Sequence, residues 1–114
     1  MMAIIYIAGP FVDPDLVFGV TENVARAAKV ARACMRKGWT FFCPHTHTNG
    51  FQHYPEFTDE QWYRFNLDFL EHCDAIIMMD GWEYSKGASL ELKHARDRGI
   101  PIFYENDGIP DAPE

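Results

Sequence analysis

The chain has 114 residues, of which 47% are hydrophobic and 15% aromatic, values of a globular protein with length for a single core. Ten basic residues against 17 acidic ones give a net charge of −7, which argues against a nucleic-acid polymer or an anionic membrane as the main partner. Cys34, Cys43 and Cys73 are odd in number and form no Cys-x-x-Cys pair, so they read as reduced thiols of a cytoplasmic protein; no apolar run reaches membrane-spanning length and no signal-type segment opens the chain.

Read in order, residues 3–8 form a first buried strand that stops at Gly9-Pro10, where a glycine lets the backbone turn sharply or approach a ligand. Residues 11–19 read as loop. Thr21 is placed to cap a helix that runs to about Lys37 and stops at Gly38. Its apolar residues Val24, Ala27, Ala28, Ala31, Cys34 and Met35 recur at helical spacing. Residues 39–43 are a second strand, ended by Pro44. A long loop, residues 45–57, carries His, Asn, Gly and Pro, and loops of that length often serve function. Thr58-Asp-Glu-Gln61 fits a capping box that opens a helix to about His72. The apolar run 75–79 is a third strand, buried on both faces. The stretch 80–91 is a strand-to-helix turn whose helix starts at Ser85-Lys-Gly-Ala88 and ends near Arg98, and residues 100–104 are a last strand. The tail, residues 105–114, holds two prolines and four acidic residues and is expected to wrap the surface or a neighbouring subunit.

Strands that alternate with helices predict βαβ units and a parallel sheet. Four strands and three helices predict an α/β, flavodoxin-like three-layer domain over residues 1–114, with strand order 2-1-3-4. The switch point then falls between strands 1 and 3. Gly9-Pro10 and the stretch 80–91 should face one another across one crevice.

That crevice gathers the residues able to do chemistry. Ser85-Lys-Gly-Ala88 is a small-residue helix start, whose free N–H groups suit a phosphate or carboxylate. Ser85 also suits the role of helix cap. Glu91 stands further along that helix, near the face of Gly87 and Ala88. A glutamate salt-bridged or solvated at the edge of the core is the ordinary reading; a carboxylate nucleophile or general base is the functional one. Tyr6 on the first strand could hold Glu91 by a hydrogen bond, or be a core aromatic. Trp62, Asn66, Phe69, Leu70 and Cys73 share one helix face, so Asn66 is a polar group on an apolar stripe and needs a partner. Arg64 and Asp68 are spaced for an exposed i,i+4 pair. Cys43, His45 and His47 alternate, and in an extended segment would join His53 at a zinc ion. No Cys-x-x-Cys or His-Glu-x-x-His pattern supports a metal there, and a loop histidine touching substrate is preferred. Neither a Walker lysine motif nor Gly-x-Gly-x-x-Gly is present.

Tyr6-Ile-Ala-Gly-Pro10, Asn23 early in the first helix, Gly38 and Pro44 around strand 2, Cys73-Asp74 before strand 3, and Gly81-Trp-Glu-x-Ser-x-Gly-Ala-x-x-Glu91 resemble the nucleoside 2-deoxyribosyltransferase-like superfamily, in its small bacterial and phage branch. The likeness runs from about residue 4 to residue 103, and the run from Gly81 to Glu91 is its most specific part. It implies a flavodoxin-like fold and cleavage of the N-glycosidic bond of a nucleoside or nucleotide. Glu91 would attack the anomeric carbon, and a second base or water would resolve the glycosyl-enzyme. Tyr6 would orient Glu91. Ser85 and Gly87 would meet the sugar 5′ end, with Gly9, Pro10, Asn23, Asn66, Gly81 and Trp82 as further substrate contacts. No metal or organic cofactor is implied. Homodimers or larger homo-oligomers are, with residues 51–69 and the tail as contact surfaces.

One position departs from the superfamily pattern: Asn66 stands where an aspartate usually faces the departing base. An amide can hydrogen-bond a base but has no titrating proton to give. A nucleotide-binding or sensing module without turnover is therefore a second reading. Hydrolysis of an NAD-type dinucleotide, which breaks the same bond type, is a third.

Overall fold

The computed structural model describes residues 3–10, 20–47 and 56–113. Four strands, β1 (Ile4–Ala8), β2 (Thr40–Phe42), β3 (Ala75–Met78) and β4 (Ile102–Tyr104), form one sheet in the order β2-β1-β3-β4. Every pairing is parallel, as the sequence predicts. The register puts Tyr6 level with Phe42 on one side and Ile76 on the other. β1 and β3 sit in the middle and are covered on both faces, which is why they read as unbroken apolar runs.

Successive side chains of these strands feed opposite layers. Ile5, Ile7, Ala75, Ile77 and Met79 pack with Ala27, Val30, Ala31 and Cys34 of α1 (Val20–Arg36). Tyr6, Ala8, Ile76 and Met78 pack on the other face with Leu70 of α3 (Asp59–Leu70) and with Ala88, Leu92 and Ala95 of α4 (Lys86–Asp97). A single-turn helix, α2 (Pro44–His47), follows β2.

Several expectations about elements shift. Val20 is already helical, so Thr21 lies inside α1 and does not cap it; the loop expected over residues 11–19 and part of that expected over 45–57 lie outside the described residues. Along α1 the buried line runs through Asn23, Ala27, Val30, Ala31 and Cys34. Met35, one residue and about 100° further round the helix, is 66% exposed. The capping box at Thr58 is formed in both halves: Gln61 N–H donates to Thr58 Oγ1 at 3.1 Å, and Thr58 N–H donates to Gln61 Oε1 at 2.7 Å. α3 ends at Leu70 and α4 at Asp97, each within two residues of its expected end.

The tail lies on the chain's own surface. Ile109 and Ala112 pack against the α1 layer. Trp39 Nε1–H donates to the Pro110 carbonyl at 2.8 Å, and Ala112 N–H donates to the Lys37 carbonyl at 2.9 Å. Among the described residues no helix is long and apolar enough to cross a membrane.

Gly9 is glycine because of packing. A Cβ there would stand 2.6 Å from Met79 Sδ and 2.7 Å from Met79 Cβ. The space that the sequence reading reserves for a ligand is filled by the neighbouring strand's end. Gly9→Ala should cost about 1–3 kcal/mol of stability, measured as a lower urea midpoint with unchanged m-value.

Candidate functional site

β1 and β3 end side by side, and the chain leaves them in different directions, which opens the crevice expected at the switch point. Pro10 Cγ lies 3.7 Å from where a Cβ on Gly81 would stand, so the two loops do face one another. Gly81 has φ +90°, a left-handed conformation that a side chain makes costly. It turns the chain from β3 into a 3₁₀ turn, Trp82–Tyr84, ahead of α4. No residue pattern in the sequence marks that extra turn.

The Asp80 peptide just before Gly81 is held from two sides. Its N–H donates to Glu105 Oε1 at 2.9 Å, and its carbonyl accepts from Arg26 Nη2 at 2.8 Å. Arg26 also donates through Nη1 to Asn23 Oδ1 at 3.3 Å. Asn23 is buried in α1 and so belongs to this bracket. Arg26 and Glu105 are not singled out by sequence reasoning, because both sit far along the chain from the turn they hold.

Ser85 caps α4: its Oγ accepts from Ala88 N–H at 3.1 Å. One turn beyond Gly87, Glu91 is buried, about 9% exposed. Its Oε2 accepts a hydrogen bond from the Tyr6 hydroxyl, itself fully buried beneath α3 and α4. Burial pushes the Glu91 carboxyl up from its ordinary 4.5 to about 8, and the Tyr6 hydrogen bond pulls part of the way back. Tyr6 is raised well above the ordinary phenol value, by burial first and then by the Glu91 charge. Near neutral pH the carboxyl therefore carries a proton and the phenol keeps its own.

α3 closes the other side. Gly87 leaves room for the ring of Tyr63, whose Cε1 is 3.2 Å from where a Cβ would be. The Tyr63 hydroxyl is raised by burial and then by the charges of Asp59 and Glu91. Tyr63 is a site residue that sequence reasoning missed; its helical spacing from Asn66 was the available signal. Asn66 is half-buried one turn further along α3, and its Oδ1 is buried without a hydrogen-bond partner among the described residues. Arg64 and Asp68 are exposed, as expected, but no ion pair joins them among the described residues. Trp82 is half-buried and packs toward Tyr104 on β4, ring centroids 6.1 Å apart, which anchors the turn.

The zinc reading fails on backbone geometry. Pro44–His47 is helical, so Cys43, His45 and His47 do not alternate along an extended segment. His45 is buried and its Nε2–H donates to the Pro10 carbonyl at 2.8 Å, while His47 is exposed beside Phe42 and Phe65. Burial holds the His45 imidazole below its ordinary range, so it stays neutral. His53 lies outside the described residues. Among the described residues no group of three or more His, Cys, Asp or Glu is placed to hold a metal.

Residues 3–104 match the family described as a domain of unknown function, DUF4406. This chain belongs to the DUF4406 family. No curated protein matches it. The 2-deoxyribosyltransferase of the psychrotolerant bacterium Bacillus psychrosaccharolyticus has a similar structure, with a TM-score of 0.60 and 25% identity over 90% of this chain and 71% of that one. The DUF4406 chain thus has the fold of the nucleoside 2-deoxyribosyltransferase-like superfamily, as its sequence motifs indicate. Within that fold the DUF4406 chain brings Tyr6 to Glu91 and Tyr63 to Gly87, with Ser85 capping the helix that carries Glu91 and Asn66 one turn beyond Tyr63. A buried carboxyl with one oxygen held by a phenol is arranged to attack or to receive a proton at a single point.

Proposed function

We propose that this protein cleaves the N-glycosidic bond of a nucleoside or nucleoside monophosphate through a covalent glycosyl-enzyme on Glu91. The observation that carries this is the buried Glu91 carboxyl held by the Tyr6 hydroxyl at the crevice. In its ionised form a carboxylate stabilises positive charge on a sugar carbon and can form an ester with it; two such displacements retain configuration. Tyr6 fixes Oε2, so Oε1 makes the bond. Ser85 and Gly87 lie at the sugar 5′ end, and Asn66 faces the base. Pro10 and Gly81 are the crevice walls, while Gly9, Asn23 and Trp82 support it by packing and hydrogen bonding. In the same reading the protein works in the cytoplasm as a homo-oligomer, with the exposed rings of Phe57, Phe65 and Phe69 as the contact face.

The test is chromatography of ribonucleosides, deoxynucleosides and their monophosphates after incubation with the protein, with and without a second free base. Free base without an acceptor identifies a hydrolase; a new nucleoside only with an acceptor identifies a transferase. Absence of both from every lane overturns the proposal. Tight stoichiometric nucleotide binding in those lanes would establish the second reading, a sensing module, which the non-titrating amide of Asn66 favours.

Tyr6→Phe is expected to lower kcat about 10- to 100-fold. Because the Tyr6 hydrogen bond lowers the Glu91 pKa, its loss moves that pKa up. The rise of activity with pH, which follows ionisation of Glu91, should then shift to higher pH than in the wild type. A profile that does not move would remove Tyr6 from this role.

A further inference from the structure

Among the described residues no ion pair gives Glu91 a countercharge: the pairs join Lys37 to Asp111, Lys93 to Asp97, and His94 and Arg98 to Glu71. Arg26, on α1 across the sheet, directs its two Nη groups to Asn23 and the Asp80 carbonyl. Tyr6, Tyr63 and Cys43 feel the Glu91 charge, and each is neutral near pH 7. Burial without a cation is what keeps the carboxyl protonated until about pH 8. A nucleophile needs the bare carboxylate, so something in the complex has to favour it.

On the wall opposite, the acid that Tyr63 feels is Asp59, exposed one turn earlier on α3; the half-buried polar positions that follow are Tyr63 and Asn66. α3 and α4 both cross from a strand end to the next parallel strand on the same face of the sheet, so they run in the same direction. The Tyr63 ring lies on Gly87; Asn66 follows one turn later on α3, and Glu91 one turn later on α4. Asn66 is an amide and does not titrate. Tyr63 is a phenol raised above its ordinary value, a hydrogen-bond donor but a weak acid. Neither can hand a full proton to a departing base near neutral pH.

Resting on the proposed glycosidic cleavage, we infer that the site takes N-glycosides whose base already carries a positive charge, the N-alkylated pyridinium and N7-alkylated purine class. The ligand then supplies both things that the described residues lack. Its cation stands close to Glu91 and favours the ionised carboxylate. Its base needs no proton to leave. In the first step Glu91 Oε1 forms the ester bond to C1′ and the C1′–N bond breaks. The electron pair goes to the ring nitrogen, which cancels the base's charge, and a neutral base departs. In the second step water or another nucleophile attacks C1′, the ester bond breaks back to the carboxylate, and the attacking group's proton passes to solvent. Asn66 stays a hydrogen-bonding wall throughout, its buried Oδ1 matched to a donor on the base.

The experiment compares kcat/KM for matched pairs: 7-methylguanosine against guanosine, and 7-methyl-2′-deoxyguanosine against 2′-deoxyguanosine, with nicotinamide riboside as the pyridinium member. The cationic member of a pair is expected to lead by about 100-fold or more, and Asn66→Asp, which adds an acid, to narrow that lead at least tenfold by speeding the neutral member. Cleavage of both members within tenfold of one another overturns this inference while leaving the glycosidic function standing. An unchanged lead in Asn66→Asp overturns the role given to Asn66. Cleavage of none of these compounds, when other nucleosides in the panel are cleaved, overturns the substrate class; cleavage of nothing at all overturns both proposals.

Discussion

Glu91→Gln should abolish base release, lowering the rate about a thousandfold or more with little change in structure. The substitution is nearly isosteric. The amide oxygen still accepts from Tyr6, and the buried neighbours Ala88, Leu92 and Ala95 keep their places. What goes is the oxygen able to form an ester with the sugar carbon. Proximity and the hydrogen bonds around the substrate would remain, and they leave a residual rate. A rate within tenfold of the wild type would show that Glu91 is a buried structural carboxyl. Ligand binding by the variant, read by calorimetry, should survive and so separates lost chemistry from lost folding.

The same variant should be more stable than the wild type in alkaline solution. The folded carboxyl has its pKa raised from 4.5 to about 8. Between these values the folded state holds a proton that the unfolded state has lost, so wild-type stability falls as pH rises through that window. Below about pH 4.5 both states are protonated and the loss is absent; above about pH 8 it is complete. At about 1.4 kcal/mol per pH unit between the two values, the full effect is at most on the order of 5 kcal/mol. Glu91→Gln carries no such proton. Urea midpoints of the two proteins should converge near pH 5 and part near pH 9, with the variant higher. A gap independent of pH would mean that the carboxyl is more hydrated than its burial indicates.

Much of the scaffold is legible in the sequence, for physical reasons. The central strands are short apolar runs of one period, and Thr58 with Gln61 is a capping pair that works over three residues. Such signals are local. The topology follows from strands alternating with helices, and it places Gly81 opposite Pro10 without any distance being known. Pairing of Tyr6 with Glu91 was accessible because one strand and one helix share the crevice. The brackets that hold the turn were not, since Arg26 and Glu105 reach Asp80 from 54 and 25 residues away. Gly9 shows the opposite error. Its position invited a ligand, yet the Met79 side chain occupies the space, and packing of a neighbouring strand leaves no mark at a single residue. His45 misled in the same way, because Pro44 starts a helical turn where an extended segment was expected.

Trapping of the glycosyl-enzyme decides whether Glu91 bonds to the sugar. The protein is incubated with a nucleoside whose 2-fluoro sugar slows the second displacement, quenched in acid and weighed by mass spectrometry. One sugar added per chain is expected, carried by the peptide that contains Glu91 and absent in Glu91→Gln. Release of base at full rate in Glu91→Gln, with no sugar on the wild-type protein, would contradict it.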